Sequence, residues 1–508
     1  MKKLYAFLLA LALCLALCVL FLPLAVANAE ATFSMAGYDG EDSNHDWETN
    51  QFFTRMQERT GISFTFQEYK SSSDWQKAKE QMFATGELPD VLFKASLTSE
   101  ELIRYTDSGQ LIDLKPLLEE NAPHLWTLLT ENPEWMEAIT LPNGKIGALP
   151  AIHSASTQDV LWINQTWLNN LGLDMPTDRE SLKQVLIAFR DKDPNQNNKK
   201  DEIPLGFLGP WELKFLSSAF GVVVNDYNIY LAEDGTVHFW PDEDSFFELA
   251  AWLKELYAEG LLDPNGFYTS DVLRRSTDSK SPETYGVFFA PSPLNIVTYD
   301  QATDYTILAP LAYEGQQIYR DLCGTLTRGT FAITSTCSDP AALLQWVDIL
   351  YTEDGAIEAM LGKEGDMYII NEDNQWQWKG GVDKVTSSQL YELSIYDSGE
   401  MPWLFPQDFY SRYAEQSVTR MTQEMADFAV YLKDPFPTTY TLTLEESAEL
   451  RPLQSDLGRY VDESLARFVL GETDLNDDTI AEFRQTIREK GMQEMIDFWQ
   501  RVALRTQE

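Results

Sequence analysis

The chain of 508 residues is 44% apolar and carries a formal net charge of −42 at pH 7. A chain of this length and apolar content can build two or more sizeable hydrophobic cores. The strong negative charge repels phosphate backbones and anionic lipid head groups, so it argues against nucleic acid and acidic membrane surfaces as partners.

The first 29 residues have the pattern of a secretory signal peptide. A basic start and a long apolar run precede Ala27-Asn28-Ala29, which suits a cleavage site. An uncleaved anchor helix is the alternative, because the apolar run approaches the length of a membrane span. Cys14 and Cys18 both follow a leucine, whereas a lipoprotein signal has a small residue there, so there is no convincing lipobox. We expect an exported protein that is extracellular, at the cell surface or in the periplasm.

Strands and helices alternate at the start of the remaining chain. Thr32 to Ala36 and Ile62 to Gln67 have the composition of strands, and GELPDVLF supplies a third strand. Asn50 to Arg59 and Asp74 to Thr85 have helix-like patterns between them. This alternation predicts an α/β fold with a parallel sheet.

Later segments continue the pattern and end in helices. The stretch NGKIGALPAIHSASTQDVLWINQTWLNNLGL predicts a turn, a strand, a polar crossing, a second strand and a helix. A helix in FFELAAWLKELYAEG ends at Gly260, and TYGVFFA follows as a strand. The segment EFRQTIREKGMQEMIDFWQRVAL has apolar spacing of three and four, which predicts an additional helical C-terminal part. Cys323 and Cys337 either form a disulfide or pack as small apolar residues.

An acidic turn between Phe189 and Pro204 resembles the start of an EF-hand loop. Counted from Asp193, oxygen-bearing side chains stand at positions 1, 3, 5 and 9, and the carbonyl group of position 7 completes the pattern. Position 6 lacks the usual glycine and position 12 lacks the usual glutamate, although Glu202 stands at position 10. Either a hard cation or the neighbouring lysines neutralise these carboxylates, and the turn alone leaves both open.

Several segments in order resemble extracellular solute-binding proteins, family 1, which serve sugar ABC importers, and in particular the long lipoprotein-type and alginate-binding branch. The matching segments are TGELPDVLF, SGQLIDL, NGKIGALP, LWINQTWLNNLGLDMPT, LYAEGLLDP, YTEDGAIEAMLGKEGDMY and RFVLGETDLNDDTIAEFRQTIREKGMQEM. They are spread over nearly all of the chain after the leader. The resemblance implies a two-lobed, type II periplasmic-binding-protein-like fold in which each lobe is an α/β sandwich.

The same resemblance implies how the lobes divide the chain and what they do. We expect a signal peptide in residues 1–29, an N-terminal lobe from 30–154 and about 326–390, and a C-terminal lobe from 155–325 and about 391–508. Such lobes close on a ligand by hinge motion. The implied function is the substrate-binding component of an ABC importer, a monomer that captures an oligosaccharide and delivers it to membrane permease subunits.

A structural calcium site is also implied, because the alginate-binding branch carries a similar acidic loop. The implied ligands are Asp193, Asn195, Asn197, the Lys199 carbonyl group, Asp201 and Glu202.

Candidate ligand-binding residues follow from the position of the strand ends. Ligands of open α/β sheets bind beyond the carboxyl ends of the strands, and sugars offer apolar faces to aromatic rings. The candidates are Tyr38, Asp39, Lys94, Ser96, His153, Ser154, Trp211, Arg320 and Trp403. For each of them, a role in packing or in hydrogen bonding within the fold is the competing interpretation.

A secreted enzyme that acts on glycans and a sensing receptor with the same two lobes are the alternative functions. The chain has no G-x-S-x-G or H-E-x-x-H motif, and its four histidines are scattered. A glycosidase needs two positioned carboxylates, but among 80 acidic residues some pair meets that spacing by chance. We therefore expect a binding protein rather than an enzyme.

Overall fold

Two β-sheets form the frameworks of two lobes in the computed structural model. The structure describes residues 31–40, 44–153, 159–268, 283–321, 326–381, 386–396, 401–414, 416–436 and 442–505. The predicted signal peptide, Ser154 and Cys323 lie outside these residues. Within them, no helix has the length and apolar character needed to cross a membrane.

The described strands are β1 (Ala31–Tyr38), β2 (Ile62–Tyr69), β3 (Val91–Phe93), β4 (Leu149–Ile152), β5 (Val160–Asn164), β6 (Ile203–Gly206), β7 (Ile229–Leu231), β8 (Val237–Phe239), β9 (Tyr285–Ala290), β10 (Tyr305–Ile307), β11 (Tyr319–Arg320), β12 (Leu326–Ile333), β13 (Tyr368–Ile370), β14 (Trp376–Trp378) and β15 (Leu432–Lys433).

The described α-helices are Gln51–Thr60, Ser72–Thr85, Ser99–Asp107, Lys115–Asn121, Pro123–Glu131, Pro133–Ile139, Gln165–Leu171, Arg179–Asp191, Pro210–Leu213, Asp244–Ala258, Tyr299–Ala302, Pro340–Asp348, Glu353–Leu361, Ser387–Leu393, Gln407–Tyr410, Gln416–Phe428, Leu444–Leu470, Asp477–Glu489 and Met492–Arg505. Short 3-10 helices cover Lys214–Phe220, Trp240–Asp242, Pro264–Phe267, Pro293–Asn295, Ile349–Tyr351 and Ala429–Tyr431.

The first lobe is built on a five-stranded sheet in the order β2-β1-β3-β12-β4. β1 is parallel to β2 and β3, while β12 is antiparallel to β3 and β4. Alternating residues of β1 pack on opposite faces: Met35 lies in one core cluster and Ala36 in another. Helices therefore cover both faces of the sheet, as the α/β sandwich prediction requires.

The second lobe is built on a four-stranded sheet in the order β10-β5-β9-β6. β5 and β9 are buried along their whole length, because helices cover both faces. The helix Gln416–Phe428 contacts the edge strand β10, where Arg420 donates a hydrogen bond to the Tyr305 carbonyl oxygen at 2.7 Å. The C-terminal helices Leu444–Leu470, Asp477–Glu489 and Met492–Arg505 contribute to the same core, so the helical C-terminal part is confirmed.

The described elements indicate three passages of the chain between the lobes. The first passage leads from β4 to β5 and the second from β11 to β12. For the third passage, the expected boundary was near residue 391. Ile395 and Tyr413 still pack in the core of the first lobe, whereas Met421 packs in the second. The described core contacts thus place this passage between Tyr413 and Met421, because the aromatic segment before it completes the first core.

Candidate functional site

The carboxyl ends of β1, β3 and β4 lie at the same edge of the first sheet, as their pairing through β12 requires. This edge faces the passages to the second lobe, since β4 leads directly into the first of them. The predicted residues therefore lie at or just beyond strand ends along one edge: Tyr38, Asp39, Lys94, Ser96 and His153.

Asp39 and Lys94 form a buried ion pair within the first lobe. Lys94 Nζ lies 3.1 Å from Asp39 Oδ1 and 2.7 Å from the Asp39 carbonyl oxygen. The same carboxylate contacts His45 Nδ1 at 2.7 Å and accepts a hydrogen bond from Trp47 Nε1 at 3.0 Å. Their charges are compensated inside the lobe, so this position supports a structural role rather than direct contact with an acidic ligand.

The backbone from Lys94 to Ser96 is strained where β3 ends. Lys94 and Ser96 adopt left-handed conformations with φ of 50° and 46°, which cost free energy in residues other than glycine. Two side chains hold the turn: Trp75 Nε1 donates to the Ala95 carbonyl oxygen and Lys79 Nζ donates to the Ser96 carbonyl oxygen, both at 2.9 Å. This turn thus presents Ser96, partly exposed, at the edge that faces the other lobe.

His153 directly follows β4, and Trp403 belongs to a later segment that pairs with the end of β4. The Ile152 amide donates to the Trp403 carbonyl oxygen at 2.8 Å, and the Phe405 amide donates to the Ile152 carbonyl oxygen at 2.8 Å. Trp403 is fully buried in the first core, so its position supports packing rather than stacking on a ligand. His153 is half-buried with its ring centroid 5.8 Å from that of Phe405, and burial lowers its pKa.

Trp211 is an exposed aromatic residue at the corresponding edge of the second lobe. It follows β6 in the turn Leu208-Gly209-Pro210, and 42% of it is exposed. Its indole lies over Gly209, where an added Cβ atom would come within 2.6 Å of Nε1. Phe215 supports the indole edge-on at a centroid distance of 5.5 Å. Arg320 packs on the Phe215 ring at 3.5 Å, so three side chains form one platform.

Three carboxyl groups surround this platform. Arg320 Nη1 pairs with Asp226 Oδ1 at 3.2 Å, and Asp159 stands directly before β5. Glu212, the residue after Trp211, is almost completely buried. Burial raises the pKa of Glu212 and of Asp159, while burial lowers the pKa of Arg320 despite its carboxylate neighbours. Asp159 and Arg320 stand at the first two passages, so the platform lies beside the hinge.

Two cavities adjoin these edges. One of about 660 Å³ lies between the lobes and brings residues 98–100 of the first lobe opposite Asp226 and Tyr227 of the second. Its wall includes the ion pair between Glu100 and Arg451, which joins the two lobes. A polar pocket of about 400 Å³ lies on the first lobe, lined by Asn44, Asp46, Thr49, Asn50, Ser388, Tyr391 and Glu392.

The acidic turn lies at the other end of β6 from Trp211. Asp193 adopts a left-handed conformation with φ of 48°, and its two carboxylate oxygens accept hydrogen bonds from the Asn197 and Asn198 amides. The Asn195 and Asn197 side chains both contact Asp201. The four residues of β6 at about 3.3 Å each separate this turn from the platform by roughly 13 Å.

The donor set of the turn fits a hard cation better than it fits neutralisation by lysine. Oε1 of Glu202 is buried and has no hydrogen-bond partner in the described part of the chain. Burial raises the Glu202 pKa, and the Asp201 and Asp193 carboxylates add to the rise. No described ion pair joins Asp193, Asp201 or Glu202 to a lysine, and Lys199 is exposed. Among the described residues, however, no three His, Cys, Asp or Glu side chains converge as a ready metal cluster, so any cation would depend on amide and carbonyl oxygens as well.

Sequence reasoning located some of these residues and missed others. The turn after β6 indicated Trp211, and the lobe passage indicated Arg320. Glu212, Asp159 and Phe215 were missed, because a single acidic or aromatic residue carries no signal until the fold brings it next to Trp211. The proximity of Glu212 to the predicted Trp211 was the one available indication.

The two-lobed architecture, with its polar and aromatic edges facing each other, is similar to that of solved solute-binding proteins. The S. pneumoniae ABC-transporter substrate binding protein FusA in complex with kestose has a TM-score of 0.75 at 23% identity, covering 94% of this chain and 99% of that chain. The alginate-binding protein AlgQ2, solved without calcium ion, has a TM-score of 0.69 at 20% identity and covers 94% and 98%. The predicted fold is confirmed.

Sequence comparison identifies two relatives over part of the chain. The fructooligosaccharide ABC transporter substrate-binding protein FusA of Streptococcus pneumoniae serotype 4 is 29% identical over 327 residues, which are 61% of this chain and 59% of that relative. Lipoprotein LipO of Bacillus subtilis strain 168 is 28% identical over 193 residues, 36% of this chain and 35% of LipO. Both matches span less than two thirds of the relative. No protein-family model matches the chain. The resemblance to solute-binding proteins of sugar ABC transporters is nevertheless confirmed.

The relatives also bear on the cation and on the reaction class. An EF-hand mutant of FusA in complex with fructo-nystose has a TM-score of 0.74 at 22% identity, covering 94% of this chain and 99% of that chain. That protein is described as having an EF-hand, and AlgQ2 is described in a form without calcium ion. The FusA relative is described as the substrate-binding protein of an ABC transporter.

Proposed function

We propose that this chain is the extracellular substrate-binding component of an ABC importer. It captures an oligosaccharide between its lobes, closes on it, and delivers it to permease subunits in the membrane. The observation that carries the proposal is the exposed Trp211 platform beside two passages of a two-lobed fold. An aromatic face suits the apolar C–H surface of a sugar, while the surrounding carboxyl and guanidinium groups suit its hydroxyl groups.

The ligand we favour is a neutral oligosaccharide, which leaves the site chemically unchanged. The two cations expected near the cleft each pair with a carboxylate of this chain: Lys94 with Asp39 and Arg320 with Asp226. The cleft edge of the second lobe also carries the carboxyl group of Asp159, which repels uronates when it is ionised. The FusA relative is named for fructooligosaccharides, so kestose is the first ligand to test.

A structural calcium ion in the acidic turn belongs to the same proposal. Asp193, Asn195, Asn197, Asp201 and Glu202, with the Lys199 carbonyl group, supply the oxygen ligands that calcium prefers. The buried, unpartnered Glu202 Oε1 supports this assignment. The ion would stabilise the start of β6 and take no part in ligand contact.

Isothermal titration against a panel of oligosaccharides tests the function. We expect kestose or another neutral oligosaccharide to bind and uronate oligomers to bind more weakly, and chromatography should recover the ligand intact. Trp211→Ala should weaken binding about five-fold or more, because stacking on an aromatic ring contributes on the order of 1 kcal/mol or more. Trp252→Ala, a half-buried tryptophan on the helix Asp244–Ala258, serves as the control. Products that accumulate with pure protein, or equal losses in both variants, would contradict the proposal.

A further inference from the structure

Glu212 places a carboxyl group in the interior beneath the ligand platform. Only 1% of the residue is exposed. It lies on the short helix Pro210–Leu213, and its Oε2 atom accepts a hydrogen bond from the Leu208 amide at 2.6 Å. This bond closes the turn Leu208-Gly209-Pro210, which carries Trp211. The carboxyl group therefore fixes the shape of the turn on which the exposed indole is mounted.

The charges that face Glu212 do not supply it with a counterion of its own. Arg320, on β11, is the nearby cation, and it pairs with Asp226 while its guanidinium packs on Phe215. Asp159 contributes a further negative charge next to β5. Within the described residues, no ion pair joins Glu212 to a basic side chain. The Arg320 guanidinium thus lies near three carboxyl groups, those of Asp226, Asp159 and Glu212.

Titratable side chains on the other neighbouring elements also bond to partners other than Glu212. Tyr319 donates its hydroxyl hydrogen to the Asp159 carbonyl oxygen at 2.8 Å. The long helix Leu444–Leu470 packs against Pro210–Leu213, and its Asp462 pairs with Lys214 at 2.8 Å. Lys214, the cation on the adjoining 3-10 helix, is thus paired with Asp462 rather than with Glu212.

A buried carboxyl group without its own counterion favours the neutral form. Burial raises the pKa of Glu212 to about 8, and Asp159 adds to the rise, whereas the Leu208 amide and Arg320 oppose it. At neutral pH the group is therefore mainly a carboxylic acid. Its ionisation would place an additional charge beneath Trp211 and would attract Arg320 away from Asp226.

We propose that Glu212 is a positioning residue of the ligand site that acts in its neutral form, so that its ionisation deforms the Trp211 platform and weakens ligand binding. The ligand part of this inference rests on the proposed carbohydrate-binding function, whereas the deformation of the platform does not. Proton uptake and ligand capture are thereby coupled through one side chain.

The deformation can be measured without any ligand. The near-ultraviolet circular dichroism of Trp211, obtained as wild type minus Trp211→Phe, should change between about pH 7 and pH 9 as Glu212 loses its proton. Glu212→Gln, which keeps a neutral acceptor for the Leu208 amide, should hold the neutral-pH spectrum across this range. Glu283→Gln is the matched control, since Glu283 is half-buried and also has a raised pKa of about 7, but it is held by Asn164 near the start of β9. It should leave the Trp211 transition in place.

Binding of kestose, measured by titration calorimetry at several pH values, tests the coupling to ligand. Wild type should bind about ten-fold more weakly one pH unit above the transition, because one proton is linked to binding. Glu212→Gln should lose this dependence and Glu283→Gln should keep it. A Trp211 signal that is flat between pH 7 and pH 9 in wild type, or that shifts equally in Glu212→Gln, overturns the inference. Failure of kestose to bind would instead count against the proposed ligand, because the spectroscopic test uses no ligand. The wild-type difference spectrum also does not depend on Glu212→Gln, so it tests the deformation even if that variant does not fold.

Discussion

Individual charges around the cleft are satisfied within the protein. Lys94 and Asp39 were expected at the strand ends from the sequence alone, and their proximity follows from the parallel pairing of β1 and β3. Their burial was not predictable, because it depends on His45 and Trp47, which fold over the pair from the following segment. Glu212 was equally hidden, since its environment is made by β5, β11 and a distant helix. Position along the chain thus indicates which residues share an edge, while packing decides which of them a ligand can reach.

Removal of one partner of the Asp39–Lys94 pair should be strongly destabilising. Lys94→Met leaves Asp39 as a buried charge without its cation, which typically costs about 3–5 kcal/mol of unfolding free energy. Urea denaturation measures this loss. Lys77→Met removes a lysine whose partner Asp74 is exposed, as is Lys77 itself, and should change stability by less than about 1 kcal/mol. Similar losses of unfolding free energy in the two variants would show that burial does not increase the contribution of the Asp39–Lys94 pair to stability.

Trp211 and Trp403 should respond in opposite ways to truncation. Trp403→Ala removes a fully buried ring from the first core and should cost about 3–5 kcal/mol of stability. Trp211→Ala removes a partly exposed ring and should cost much less stability while it reduces ligand affinity. Thermal denaturation and calorimetric titration on both variants separate the two roles. A Trp403 variant of unchanged stability would mean that its core position is not as tight as the contacts indicate.

At the scale of elements, the strands and the long helices follow from local patterns. The spacing of apolar residues predicts β1, β2, the helix Asp244–Ala258 and the C-terminal helices, because each buries one face or both against a sheet. The short helices between β3 and β4 were not predicted. Several of them begin with a proline near the first position, as in Pro123–Glu131 and Pro133–Ile139. This is a usable signal, but helices of this length have weak periodicity.

The acidic turn should behave as a calcium-dependent element. Chelation should lower the melting temperature of the wild type, because the carboxylates of Asp193, Asp201 and Glu202 then repel one another without a cation. Asp193→Asn should lower stability in calcium and remove most of the effect of the chelator. Asp191→Asn is the matched control, since Asp191 is exposed and pairs with Arg190 at 2.7 Å. Calorimetric titration of the stripped protein that shows no uptake at millimolar calcium would identify the turn as a solvated acidic loop.

At the scale of the whole molecule, the two lobes follow from the family resemblance rather than from composition or periodicity. Alternating strands and helices are compatible with one large sheet as well as two. Long-range strand pairing distinguishes one sheet from two. β12 lies in the first sheet between β3 and β4, although all strands of the second sheet precede it in the chain. Local patterns contain no information about such pairing. The late third passage has the same origin, because Ile395 and Tyr413 join the first core through contacts with distant helices.

The relative position of the lobes should depend on the cross-lobe ion pair between Glu100 and Arg451. Glu100 belongs to the helix Ser99–Asp107 of the first lobe, and Arg451 to the helix Leu444–Leu470 of the second. Arg451→Glu replaces attraction by repulsion across the inter-lobe cavity. Since exposed pairs contribute up to about 1 kcal/mol, the change should shift a near-balanced equilibrium between closed and open lobes several-fold toward the open form. Small-angle scattering of the ligand-free protein should then show a larger radius of gyration, and kestose should reduce it.

Arg459→Glu, a charge reversal on the same helix whose partner Asp456 is local, should leave the radius unchanged. Equal radii for wild type and both variants, with and without a tightly bound ligand, would show that the lobes do not move as a hinge.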